Sequence, residues 1–178
     1  EYYGVTPDIC TLGKAIGGGF ALAALAGRDD IMAMFDKERA GDRFVPPIGT
    51  LSGNPVAAAA GLATLEILQR PGTYEKIFGM GETLMAGLRE RLDRHGIEAQ
   101  ITGVPPLFDI VFTDGEIRNY RDTLRGDAAK MAKLNALLME RGILKGDSKY
   151  YVSLTLTDAD IQKTLDAWDD ALAVLAKG

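Results

Sequence analysis

Apolar positions in this chain follow two kinds of pattern. In the later part they recur at helical spacing. Before that they come as short runs broken by glycine and proline. Cys10–Leu12 reads as a short buried strand ending at Gly13, and the apolar run Ala21–Ala26 reads as a second. Asp29 and Asp30 can cap a short helix through Phe35. Phe44–Asn54, with two prolines and two glycines, reads as a loop. Asn54 then offers an N-cap and Pro55 a first helical position where a missing N–H costs nothing. The alanine-rich run Val56–Gln69 is expected to be a tightly packed, largely buried helix. Tyr74–His95 is amphipathic, with Ile77, Leu84, Leu88 and Leu92 on one face and Gly96 placed to end it. Ile97–Thr102 and Leu107–Thr113 read as strands, Asp127–Arg141 as a helix stopped by Gly142, and Tyr150–Leu156 as a strand. Thr157 and Asp160 form a capping box for a helix carrying Ile161, Leu165, Trp168, Leu172 and Leu175 on one stripe.

This organisation divides near residue 75. Residues 1–75 look like part of an α/β sheet layer with a functional loop, and 76–178 like a compact α+β domain. The chain opens on Glu1, and the stretch EYYGVTPD reads as the middle of a longer protein. Composition changes the picture only by exclusion. A net charge of −5 and a pI of about 4.9 disfavour nucleic acid and anionic membrane surfaces as partners. The single cysteine, Cys10, excludes an intrachain disulfide framework and fits a reducing, cytoplasmic compartment.

Lys14 stands between two small apolar runs and just ahead of Gly17, Gly18 and Gly19. An amine becomes nucleophilic near neutral pH when burial disfavours its charged form. Leu12, Ala15 and Ile16 are placed to supply apolar surroundings, and the glycines let a flat ligand come close. The loop GTLSGN offers the Thr50 and Ser52 hydroxyls and backbone amides at a helix start, chemistry suited to a phosphate. Each feature also fits a plainer reading: Lys14 as a solvated turn residue, and GTLSGNP as a turn feeding a helix. The glycines follow the lysine, so the motif is not a P-loop. His95 reads as a surface residue near a helix end, Cys10 as a buried strand residue, and Tyr150 and Tyr151 as strand packing. Arg28, Arg43 and Lys145 are candidates for a substrate carboxylate by charge alone, and each also reads as surface.

GVTPDICTLGKAIGGG, followed after some thirty residues by GTLSGNPVAAAAG, resembles the second half of the class III aminotransferases, which use pyridoxal 5′-phosphate (PLP). Within them it looks most like the glutamate-1-semialdehyde aminomutase subgroup, and LTLTDADIQKTLDAWDDAL is similar to that subgroup's C-terminal helix region. The resemblance implies fold type I, the aspartate-aminotransferase type, with part of the large PLP-binding domain and a C-terminal α+β small domain. It matches Lys14 to the lysine that forms a Schiff base with PLP. It matches Thr50 and the Gly49 backbone to the pair that binds the cofactor phosphate of the neighbouring protomer in a homodimer. The family's pyridine-binding aspartate, its earlier phosphate loop and its ring-stacking aromatic all lie upstream of this segment. The expected activity is transfer of an amino group from an amino acid or amine donor to a keto acceptor. The alternatives are intramolecular transfer by an aminomutase, or a non-catalytic fragment of such an enzyme. SKYYVSLTLTD lacks the small-residue and histidine pattern expected of an aminomutase, which favours the transaminase.

Overall fold

In the computed structural model, which describes residues 2–177, β1 (Ile9–Leu12) and β2 (Ala24–Gly27) pair antiparallel, with Ile9 opposite Gly27 and Leu12 opposite Ala24. Between them a 3₁₀ turn, Lys14–Gly17, follows β1 after one residue. α1 (Asp29–Met32) continues into a 3₁₀ turn, Ala33–Phe35, and Asp36 caps α2 (Lys37–Ala40) by accepting from the Glu38 and Arg39 amides. α3 (Pro55–Leu68) is capped by Asn54, whose side chain accepts from the Val56 and Ala57 amides, with Pro55 in the first turn. These elements belong to a first compact unit, Glu1–Pro71.

Three expectations fail in this unit. Both strands are largely exposed, and Cys10 is only half-buried, because a two-stranded ribbon is too small to bury itself. Asp29 and Asp30 do not cap α1. They lie inside its first turn, bonded to Arg39 and Arg28, and the N-cap residue is Arg28. α3 is not largely buried: only Ala57 and Gly61 are, one turn apart on one side, while Val56, Leu62, Leu65 and Ile67 face outward. Alanine is found on every side of that helix and so marks no buried face.

The second unit, Gly72–Gly178, holds α4 (Thr73–Arg94), β3 (Gln100–Val104), β4 (Leu107–Val111), α5 (Tyr120–Thr123), α6 (Ala128–Glu140), β5 (Lys149–Tyr151) and α7 (Asp158–Leu175). The strands form one antiparallel sheet in the order β3-β4-β5. Leu84, Leu88 and Leu92 of α4 and Leu134 and Leu138 of α6 pack with Phe108 and Ile110 of β4 and the stripe Ile161–Leu165–Trp168–Leu172–Leu175 of α7. Trp168 is fully buried, and its Nε1 donates to Tyr150 Oη at 2.9 Å. The Tyr150 ring stacks on Phe108 with centroids 4.9 Å apart. The capping box at Thr157 and Asp160 forms as expected. Gly96 and Gly142 follow the ends of α4 and α6 with φ of 63° and 74°.

The strand expected over Tyr150–Leu156 is cut short at Tyr151. Ser153 accepts from the Thr155 amide and shares a hydrogen bond with its hydroxyl, and the Leu156 amide closes a turn on the Ser153 carbonyl. His95 is not a free surface group: Nε2 lies 2.8 Å from Asp169 Oδ1, tying α4 to α7. No helix among the described residues is long and apolar enough to cross a membrane.

Candidate active site

β1 delivers Lys14 directly into the 3₁₀ turn. Among the described residues Lys14 is the one non-glycine residue with positive φ, at 54°. A left-handed backbone costs a side-chain-bearing residue of order 1 kcal/mol, and such strain concentrates at functional positions. The turn is closed by hydrogen bonds from the Gly18 amide to Ala15 O (3.2 Å) and from the Phe20 amide to Gly17 O (2.9 Å). It sits against α3. A Cβ on Gly18 would lie 2.7 Å from Thr64 Oγ1 and 3.3 Å from Ala60 O, and one on Gly61 would overlap Leu22 Cδ2. The Thr64 hydroxyl is itself turned back to donate to Ala60 O.

The Lys14 side chain is exposed, as is Ala15, and Ile16 is half-buried. The dry surroundings expected from Leu12, Ala15 and Ile16 are therefore not built by those residues: Leu12 and Ala15 are themselves exposed and Ile16 is only half-buried.

Gly49 and Thr50 line a cavity of about 620 Å³ between residues 21–23, the 49–54 loop and the first turns of α3. The loop is held by the Ser52 amide donating to Gly49 O (3.0 Å) and the Asn54 amide to Leu51 O (3.1 Å). A Cβ at position 49 would stand 2.6 Å from Ser52 Oγ, so a side chain there would require the Ser52 hydroxyl to turn aside. Hydroxyls and amides at the positive end of a fourteen-residue helix are neutral donors in a favourable field, which fits a phosphate group. Lys14 does not border this cavity, so the two sequence-derived groups remain apart in the chain.

The three cations proposed on charge are placed differently. Arg28 is held by Asp8 (2.6 Å) and Asp30 (2.6 Å), and these bonds raise its already high pKa. Arg43 is exposed at the end of a 3₁₀ turn. Lys145 is half-buried in the second unit beside a cavity of about 490 Å³. Its ammonium donates to Gly146 O (2.7 Å) and Asp147 O (3.2 Å) and lies 5.1 Å from the centre of the Tyr150 ring. Burial lowers its pKa, opposed by Asp109 and Asp147. Sequence reading missed Leu22, Gly61 and Thr64, which fit the Lys14 turn to α3, and Ala21–Ala23, which wall the Thr50 cavity. For Gly61 and Thr64 the only sequence signal is small size at helical spacing, and for Ala21–Ala23 a short apolar run.

The sequence profile of Aminotransferase class-III matches residues 1–172. The chain belongs to that family, and its mixed α/β architecture is part of the PLP-dependent fold type I. Among solved structures it is similar to an omega-transaminase from Sphaerobacter thermophilus, at 31% identity and a TM-score of 0.90. It is equally similar, at 31% and 0.90, to a beta-phenylalanine aminotransferase from Variovorax paradoxus. Each match covers 99% of this chain and 40% of the other. A transaminase with PLP bound matches at 28% identity and a TM-score of 0.85, over 98% of this chain and 40% of that one. The chain thus spans about 40% of the length of these relatives.

Proposed function

We propose that this chain is the C-terminal part of a PLP-dependent aminotransferase that moves an amino group between an amino acid or amine and a keto acid, with Lys14 as the residue that holds the cofactor. The observation that carries the reading is Lys14 itself: a lysine at a strand end, kept in a left-handed backbone, in a chain of this family. Bound PLP supplies the electron-withdrawing ring that stabilises negative charge at the substrate Cα. Lys14 Nζ, once free of the cofactor, removes the proton from that Cα and returns a proton in the reverse half of the cycle. The Thr50 hydroxyl and Gly49 backbone bind the phosphate of the cofactor belonging to a second copy in a homodimer. The separation of Lys14 from the Thr50 cavity supports that division. Residues 1–75 belong to the large PLP-binding domain and 76–178 to the small domain, a reading supported by the two compact units. The single cysteine supports a cytoplasmic setting.

Lys14→Ala in the full-length protein tests the assignment. Borohydride is expected to fix PLP to Lys14 of the unsubstituted protein, and the variant to lose both the label and turnover. Turnover that survives the substitution removes the reading. Assays with and without a keto acceptor then separate a transaminase from the glutamate-1-semialdehyde type of aminomutase, which needs none.

A further inference from the structure

The triple glycine after Lys14 and the glycine that ends AAAAG in α3 are parts of one contact. Gly17 is buried against Leu22, where a Cβ would stand 3.2 Å from Leu22 Cβ. Gly18 lies against Thr64 and Ala60, and Gly61 lies under Leu22 Cδ2, with the Ile16 carbonyl oxygen 3.3 Å from where its Cβ would be. The backbone of the Lys14 turn therefore comes close to that of the helix, with the Thr64 hydroxyl and the Leu22 side chain filling the joint. Lys14 has several rotatable bonds, so only its backbone position can fix the region its amine sweeps. That backbone is in a strained conformation which persists only where surrounding structure imposes it.

We propose that Gly61 and Leu22 are positioning residues for Lys14: their close fit seats the 3₁₀ turn on α3 and holds the left-handed backbone from which the amine projects. This rests on the reading of Lys14 as the cofactor-holding residue. A methyl group at 61 meets two neighbours of different kinds. Leu22 Cδ2 is the end of a flexible side chain and can turn aside, whereas the Ile16 carbonyl is backbone and can retreat only by moving the turn. A β-branched residue at 61 presses on both.

The test uses the full-length protein loaded with PLP and reads three things: the pH profile of borohydride labelling at Lys14, kcat, and Tm. Gly61→Val is expected to shift the midpoint of that profile by about half a unit or more and to lower kcat about tenfold or more. Gly61→Ala gives the same changes in weaker form. Leu22→Ala alone removes the side chain that fills the joint while keeping the Cβ against Gly17, and is expected to shift the profile and lower kcat as Gly61→Ala does. If Gly61→Val does not fold, the two Ala variants decide. A Gly61→Ala protein with an unaltered profile and kcat overturns the proposal, as does a Leu22→Ala protein with both unaltered, whatever happens to Tm. Normal labelling at Lys14 with unaltered variants sinks the seat alone; label on a different lysine of the unsubstituted protein sinks the assignment of Lys14 and the seat with it.

Discussion

The two units divide the work of the chain unequally. Gly72–Gly178 has a continuous core running from Leu84 through Phe108 and Leu134 to Trp168 and Leu175. In Glu1–Pro71 the buried apolar residues, among those described, are Ala40 and Ala57, and Ile48 is 91% exposed. Yet the first unit carries Lys14, Gly49 and Thr50. Folding energy comes mainly from apolar area removed from water, so the unit with the proposed chemistry is the one least able to fold by its own packing. Within this chain its order is carried by local devices: the Asn54 cap, the Asp36 cap, the carboxylate clasps on Arg28 and Arg39, and the seat of the Lys14 turn on α3.

The largest effect expected from this contrast is all-or-none. Residues 72–178 produced alone should unfold cooperatively with heat or urea, and residues 1–71 alone should give a circular dichroism signal without a cooperative transition. A sharp melting transition for 1–71 in isolation breaks the comparison, because it would mean that caps and clasps suffice without a core.

How much could be read in advance follows the same line. Asn54–Pro55 and Thr157–Asp160 were legible because a cap is completed within one turn by residues adjacent in sequence. The stripe through Trp168 was legible because its period names a buried face whatever lies opposite. Burial of Cys10–Leu12 and of α3 was misread, since an apolar run states a preference and not the presence of a partner. The early end of β5 was hidden because Ser153 and Thr155 act through hydroxyl bonds that alternation does not register. For the candidate site, the loop GTLSGN was legible as the lead into a helix at Asn54, and its Gly49 and Thr50 line a cavity there. The fit of Gly61 under Leu22 was invisible, because a missing side chain leaves no mark on a hydropathy pattern.

A smaller effect sharpens the account of the self-sufficient unit. Tyr150→Phe strips the fully buried Trp168 N–H of its acceptor, and an unsatisfied buried donor costs about 1–3 kcal/mol. Urea denaturation should report that loss at neutral pH with an unchanged m-value. Burial pushes the Tyr150 phenol well above its ordinary pKa, with the Trp168 bond opposing. The folded state therefore holds the phenolic proton more tightly than the unfolded chain does. The tyrosine's contribution is complete below the unfolded value of about 10 and declines as pH rises above it. The gap between the two proteins should narrow from about pH 10 upward; a gap that stays constant there would show the phenol to be less enclosed than the stacking on Phe108 implies.

The smallest effect concerns the link between α4 and α7 at the edge of the same unit. Asp169 receives the His95 ring at 2.8 Å and Arg94 at 3.1 Å, and the His95 bond, aided by the charge of Arg94, holds its carboxyl below the ordinary carboxylate range. The carboxylate is partly exposed, so solvent screens the pair, and Asp169→Asn should cost no more than about 1 kcal/mol. The sign with pH is opposite to that of Tyr150. A depressed folded pKa gives stability that is present above the unfolded value of about 3.9 and is lost as pH falls below it. Wild type and Asp169→Asn should therefore differ slightly at pH 6 and converge in acid, measured as urea midpoints across that range. An Asp169→Asn protein as stable as wild type, or more stable, at pH 6 would mean the carboxylate adds nothing where it stands, and that the helices are joined by their apolar stripes alone.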